Sequence, residues 1–64
     1  MTNLQKMRER RHLKQHELAQ LSGVTQQAIS MIENGDRKNP GVITMLKLAK
    51  ALRCMIEDLI EEET

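Results

Sequence analysis

Residues 15–35, QHELAQLSGVTQQAISMIENG, decide the fold. Apolar residues recur here at helical spacing, and two glycines interrupt them at 23 and 35. Gly23 is placed to end one helix in a left-handed conformation, with Thr25 as the N-cap of the next and Gly35 closing it. The stretch therefore predicts helices over 15–22 and 26–34, joined by Ser22-Gly23-Val24-Thr25. So short a connection with a glycine in it sets the two helices at a large angle, as in a helix-turn-helix. Ala19 is small where they cross, and Val24, Ile29 and Ile32 fill the wedge between them.

Outside this pair every segment also reads at helical period, and none alternates like a strand. Thr2 and Gln5 have the form of a capping box that opens a first helix over 3–11, with Leu4, Met7 and the stem of Arg11 turned inward. His12 stands where the chain must reverse, and it tolerates a left-handed conformation better than most residues. Leu18, Ala19 and Leu21 are the apolar positions of the second helix. GDRKNPG, 35–41, is a loop. A fourth helix over 42–52 carries Met45, Leu48, Ala49 and Leu52 on one stripe, and a fifth over 56–62 carries Ile56, Leu59 and Ile60. The expectation is one all-α domain, 1–64, of five short helices.

Composition narrows the chemistry. A chain of 64 residues buries only about 60% of its unfolded surface and reaches roughly 3–5 kcal/mol of net stability. The single cysteine, Cys54, supplies no disulfide, fits a reducing cytoplasm and is read as apolar filler. The opening MTNLQKMRERR has no apolar run, so neither a secretory signal nor a membrane span is expected. Phe, Tyr and Trp are absent, which removes the stacking platforms of single-strand and RNA binders. Residues 1–53 hold all ten Lys and Arg against four acids, a balance of +6, whereas 54–64 hold five acids and no base, a balance of −5. A basic body with an acidic end suits a polyanion-binding surface, and it also suits an ordinary solvated surface with a charged terminal helix. His12 and His16 have a metal-ligand spacing, but a helix boundary separates them and no further ligand converges, so no metal or cofactor is expected. Neither a carboxylate pair nor a Cys/His or Ser/His constellation can be assembled, which argues against an enzyme.

The third helix carries the functional signal. At about 100° per residue, Ile29 and Ile32 define its buried direction, and Gln27 and Asn34 point away from it. Ser30 and Met31 stand beside them, with Gln26 at the N-terminal end. Solubility alone would favour Lys or Glu on such a face. Amides present a donor and an acceptor together, so a glutamine can pair bidentately with adenine in the major groove of DNA. Met31 has two open readings, contact with a thymine methyl or packing against Gln27 and solvent.

LKQHELAQLSGVTQQAISMIENG, followed by a proline and by LKLAKAL, resembles the Cro/C1-type (XRE-family) helix-turn-helix regulators over about residues 4–60. The elements Gln15-x-x-Leu18-Ala19, Gly23-Val24, Ile29-x-x-Ile32-Glu33-x-Gly35 and Pro40 carry the resemblance jointly. It implies a five-helix, lambda-repressor-like domain that binds a palindromic double-stranded operator as a homodimer and serves as a repressor or autoregulating controller. Carried over by position, Gln26, Gln27, Ser30 and Met31 read bases, and Gln15, Asn34, Arg37 and Lys38 meet phosphates. Arg8 pairs structurally with Glu33. Met55, Ile56, Leu59 and Ile60 are the candidate dimer surface, and no small-molecule ligand is implied. Two positions depart from the family pattern. Lys14 stands where a capping Ser, Thr or Asn is usual, which either costs about 1 kcal/mol or is offset by a DNA phosphate. Met55 likewise replaces a cap ahead of the fifth helix. The rival reading is an antitoxin-like module that neutralises a partner protein, although no segment suited to wrapping a toxin is evident.

Overall fold

A computed structural model of the chain describes residues 2–37 and 40–61. Four α-helices follow one another: α1 (Asn3–Arg10), α2 (Gln15–Ser22), α3 (Gln26–Glu33) and α4 (Val42–Leu52). A short 3-10 turn, Ile56–Asp58, comes after them. No strand occurs among the described residues.

Local chemistry accounts for the helix boundaries. The Thr2 hydroxyl accepts the Gln5 N–H at 3.3 Å, and the Thr25 hydroxyl accepts the Ala28 N–H at 3.1 Å, each satisfying a first-turn donor. The Gln5 amide does not complete a capping box, because it donates along α1 to Glu9 instead. Gly23 ends α2 at φ 77°, and its N–H returns to the Ala19 carbonyl. His12 and Arg53 also take left-handed conformations, at φ 58° and 54°. A side chain with a Cβ is strained there by about 1–2 kcal/mol. Arg53→Gly relieves that strain at the end of α4, less the greater chain entropy of glycine. The variant is expected to gain about 0.5–1 kcal/mol and a few degrees in thermal midpoint by circular dichroism. An unchanged or lower midpoint would show the left-handed turn to be held at no cost.

The core sits between α2, α3 and α4, with Leu18, Ile29, Leu48 and Leu52 wholly buried. Leu4 from α1 and Val24 from the α2–α3 turn close it. Cys54 is half-buried against this cluster, and burial, followed by the nearby Asp58, pushes its thiol up from the ordinary range. Leu21 does not join the core. It is exposed, because α2 turns Leu18 inward and leaves the position three residues on at its solvent edge.

The expected fifth helix over 56–62 is not formed as such; its start is the three-residue 3-10 turn. Met55 offers no side-chain cap there, and the Asp58 carboxylate accepts the Met55 N–H at 3.0 Å in its place. An α-helix through this segment would also set Glu57 four residues before Glu61, a repulsive spacing. Glu61 is engaged elsewhere, since its carboxylate accepts the Asn3 N–H at the start of α1. The Asn3 side chain donates to the Ile60 carbonyl at 2.8 Å, so the two ends of the described chain are joined. Leu59 was expected on a dimer surface, but it is only 3% exposed and belongs to the core. Among the described residues, no helix is long and apolar enough to cross a membrane.

Candidate nucleic-acid interface

Helix α3 has two distinct faces. Ile29 is fully buried, and Glu33 is 8% exposed although it is charged. Gln26, Gln27, Met31 and Asn34 are exposed, and Ser30 is half-buried beside them. The amide-bearing face is therefore open along the whole helix, from its capped N-terminus to Asn34 at its end.

Glu33 anchors this helix from beneath. Arg8 Nε donates to Glu33 Oε2 at 2.7 Å and Arg8 Nη2 to Glu33 Oε1 at 3.0 Å, a two-pronged pair between α1 and α3. The remaining prong of the guanidinium, Nη1, donates to the Leu13 carbonyl at 2.7 Å and so fixes the α1–α2 connection as well. The hydrogen bond to Glu33 holds the Arg8 guanidinium charged more firmly than usual, against the opposing cost of burial. Gln15, at the start of α2, adds a further donor: its Nε2 lies 3.1 Å from Glu33 Oε1. Three helices thus converge on one carboxylate. The spacing of Gln15 and Glu33, 18 residues apart, carries no periodic signal by which the contact would be found in the sequence.

The N-terminus of α2 is open to solvent. Lys14 is exposed and makes no side-chain cap, while the Glu17 carboxylate accepts the Lys14 N–H at 2.8 Å. This is the reaching-back half of a capping box without its forward half. First-turn N–H groups left without a side-chain acceptor favour an anion. Arg37 is exposed beyond the end of α3, and Lys38 lies outside the described residues. Of the candidate dimer residues, Met55 and Ile60 are exposed, Ile56 is half-buried and Leu59 is interior. Among the described residues no group of three or more His, Cys, Asp or Glu is gathered that would hold a metal ion.

Comparison with known proteins agrees with this architecture. Residues 4–59 match the family model described as helix-turn-helix. The HTH-type transcriptional repressor RghR of Bacillus subtilis is 46% identical over 57 residues, which cover 89% of this chain and 42% of that protein. The uncharacterized HTH-type transcriptional regulator y4dJ of Sinorhizobium fredii is 43% identical over 51 residues, covering 80% of this chain and 65% of that protein. The uncharacterized regulator RghRB of Bacillus subtilis is 40% identical over 57 residues, 89% of this chain and 41% of its own length. The chain thus spans 41–65% of the length of these relatives. With a family match over nearly all of its length and two short helices joined by a left-handed glycine, the chain belongs to the helix-turn-helix family of Cro/C1-type regulators.

Proposed function

We propose that this chain is a sequence-specific DNA-binding unit of a cytoplasmic transcriptional regulator, a repressor or autoregulating controller. It reads a palindromic operator through the major groove as a homodimer. The observation that carries this reading is the exposed row Gln26, Gln27 and Met31 on a helix whose opposite side is locked by Ile29 and by the Glu33 junction. A reading helix needs both properties. Its polar edge must be free to pair with bases, and its position must be held to fractions of an ångström by the domain beneath.

The roles divide by chemistry. Gln26, Gln27 and Met31 read base edges, with Ser30 at the margin. Lys14, Asn34, Arg37 and Lys38 meet phosphates and set the register. Gln15 combines two tasks, since one amide N–H is used on Glu33 and the second remains for a phosphate. Such a contact would couple the α2 N-terminus to the α3 anchor. The name of RghR, a transcriptional repressor, favours repression over activation.

The test is selection of bound duplexes from a random pool at about 0.15 M salt. A palindromic consensus with adenines in each half-site is the expected outcome. No enrichment would overturn the reading and leave the amide face to a protein partner, as in an antitoxin-like module. Arg37→Ala is expected to weaken binding to all sequences alike and to lower the slope of log K against log salt by about 1. An effect confined to the selected operator would move Arg37 from the positioning groups to the readers.

A further inference from the structure

Helix α4 is apolar on both sides, which its place in the fold does not require. Leu48, Ala49 and Leu52 face the core. Val42, Ile43 and Leu46 point outward and are 68%, 71% and 47% exposed. Val and Ile are poorer helix formers than the Lys or Glu that a solvated face would carry, so neither propensity nor packing explains them. The patch does not end with the helix. Val42 lines an open groove of about 900 Å³ together with Pro40, Met45, Ile56 and Ile60, and Ile60 is itself 50% exposed. Met55, 63% exposed, stands beyond the C-terminal end of α4. Gln26 and Gln27 line no part of the groove, so an occupant here leaves the amide face free.

We infer that this surface takes a second copy of the chain, in a two-fold contact built on the outer face of α4 and the Met55–Ile60 end. The inference deepens the homodimer reading above by placing its contact mainly on α4, with Leu59 excluded as core. Two features select a copy of the same chain as the occupant. The first is charge. Lys47 and Lys50 are exposed on α4, and Glu57 and Asp58 are exposed on the turn packed against it. A two-fold interface brings residue i of one copy to residue j of the other and the reverse. Each copy then offers its bases to the other's acids, and the surface is complementary to itself. The second is area. A stable interface covers about 800 Å² per partner, of which roughly 500 Å² is apolar. Five large apolar side chains, each about half or more exposed, supply an area of that order. The whole surface is 4658 Å², so the contact would cover about one sixth of it.

Sedimentation equilibrium of the full chain between about 1 µM and 1 mM tests this, with Ile43→Glu beside the parent. The parent is expected to form dimers. Ile43→Glu is expected to weaken the dimer at least about tenfold while leaving helical content and thermal midpoint unchanged, because Ile43 lies outside the core. Raising salt from about 0.05 to 0.5 M should weaken the parent dimer several-fold, since exposed ion pairs are screened. A parent monomeric at 1 mM overturns the inference, as does an Ile43→Glu variant that dimerises like the parent. A dimer indifferent to salt overturns the charge pairing. Binding of both proteins to a duplex carrying one half-site separates this inference from the DNA-reading one. Equal half-site binding by two monomeric proteins would keep the reading helix and reject the surface. A salt-sensitive dimer that ignores DNA would do the opposite.

Discussion

Arg8→Met is expected to leave much of the chain unfolded at 25 °C. The Glu33 carboxylate is buried and depends on two guanidinium donors and the Gln15 amide. Removing the guanidinium leaves an uncompensated charge in the interior, which costs about 3–5 kcal/mol. It also strips the Leu13 carbonyl of its side-chain donor. A domain of this size has a total stability of about the same size, roughly 3–5 kcal/mol, so one substitution can consume it. Urea titration followed by circular dichroism measures the loss. The double variant Arg8→Met with Glu33→Leu should recover most of it, because an apolar pair of similar volume is often as stable as the buried ion pair it replaces. A single variant that loses less than about 1 kcal/mol would show the Arg8–Glu33 pair to be solvated in solution, contrary to its geometry here.

Gln27→Ala is expected to cost about 1–3 kcal/mol on the selected operator, an affinity loss of roughly 5- to 150-fold. Binding to random duplex should barely change, since phosphate contacts carry it. Stability should stay within about 0.5 kcal/mol of the parent, because the side chain is exposed and makes no recorded contact within the fold. Binding titrations on the two duplexes under one salt condition give the comparison. Equal losses on both, or a loss matching that of Arg37→Ala in its salt dependence, would remove Gln27 from the base-reading set. The pair of variants thus separates reading from positioning without depending on the operator's full sequence.

The elements that were legible in the sequence are those decided by neighbours. Thr2 and Thr25 cap their helices, Gly23 ends α2, and His12 takes the reversal, each through contacts within four residues or a backbone preference of its own. The outward row Gln26, Gln27, Met31 and Asn34 also follows from local geometry, because a helix with Ile29 inside must turn those positions out. Where several apolar residues shared a segment, periodicity alone could not rank them. Leu21 and Leu59 were each assigned to the wrong environment. In α2 only one edge meets the other helices, and at the chain end the 3-10 turn rather than a continued helix directs Leu59 inward.

By itself, then, the sequence determined four helices, their breaks and the composition of the exposed reading face, since all of these depend on interactions that close within one or two turns. Only the tertiary structure decided that Gln15 shares Glu33 with Arg8, that Arg11 donates to the Leu52 carbonyl at 2.9 Å, and that Asn3 holds Ile60. It also decided that α4 keeps an apolar outer face. These contacts join residues 18 to 57 positions apart. Helical period has no term for such distances, which are set by how the packed helices bring their ends together.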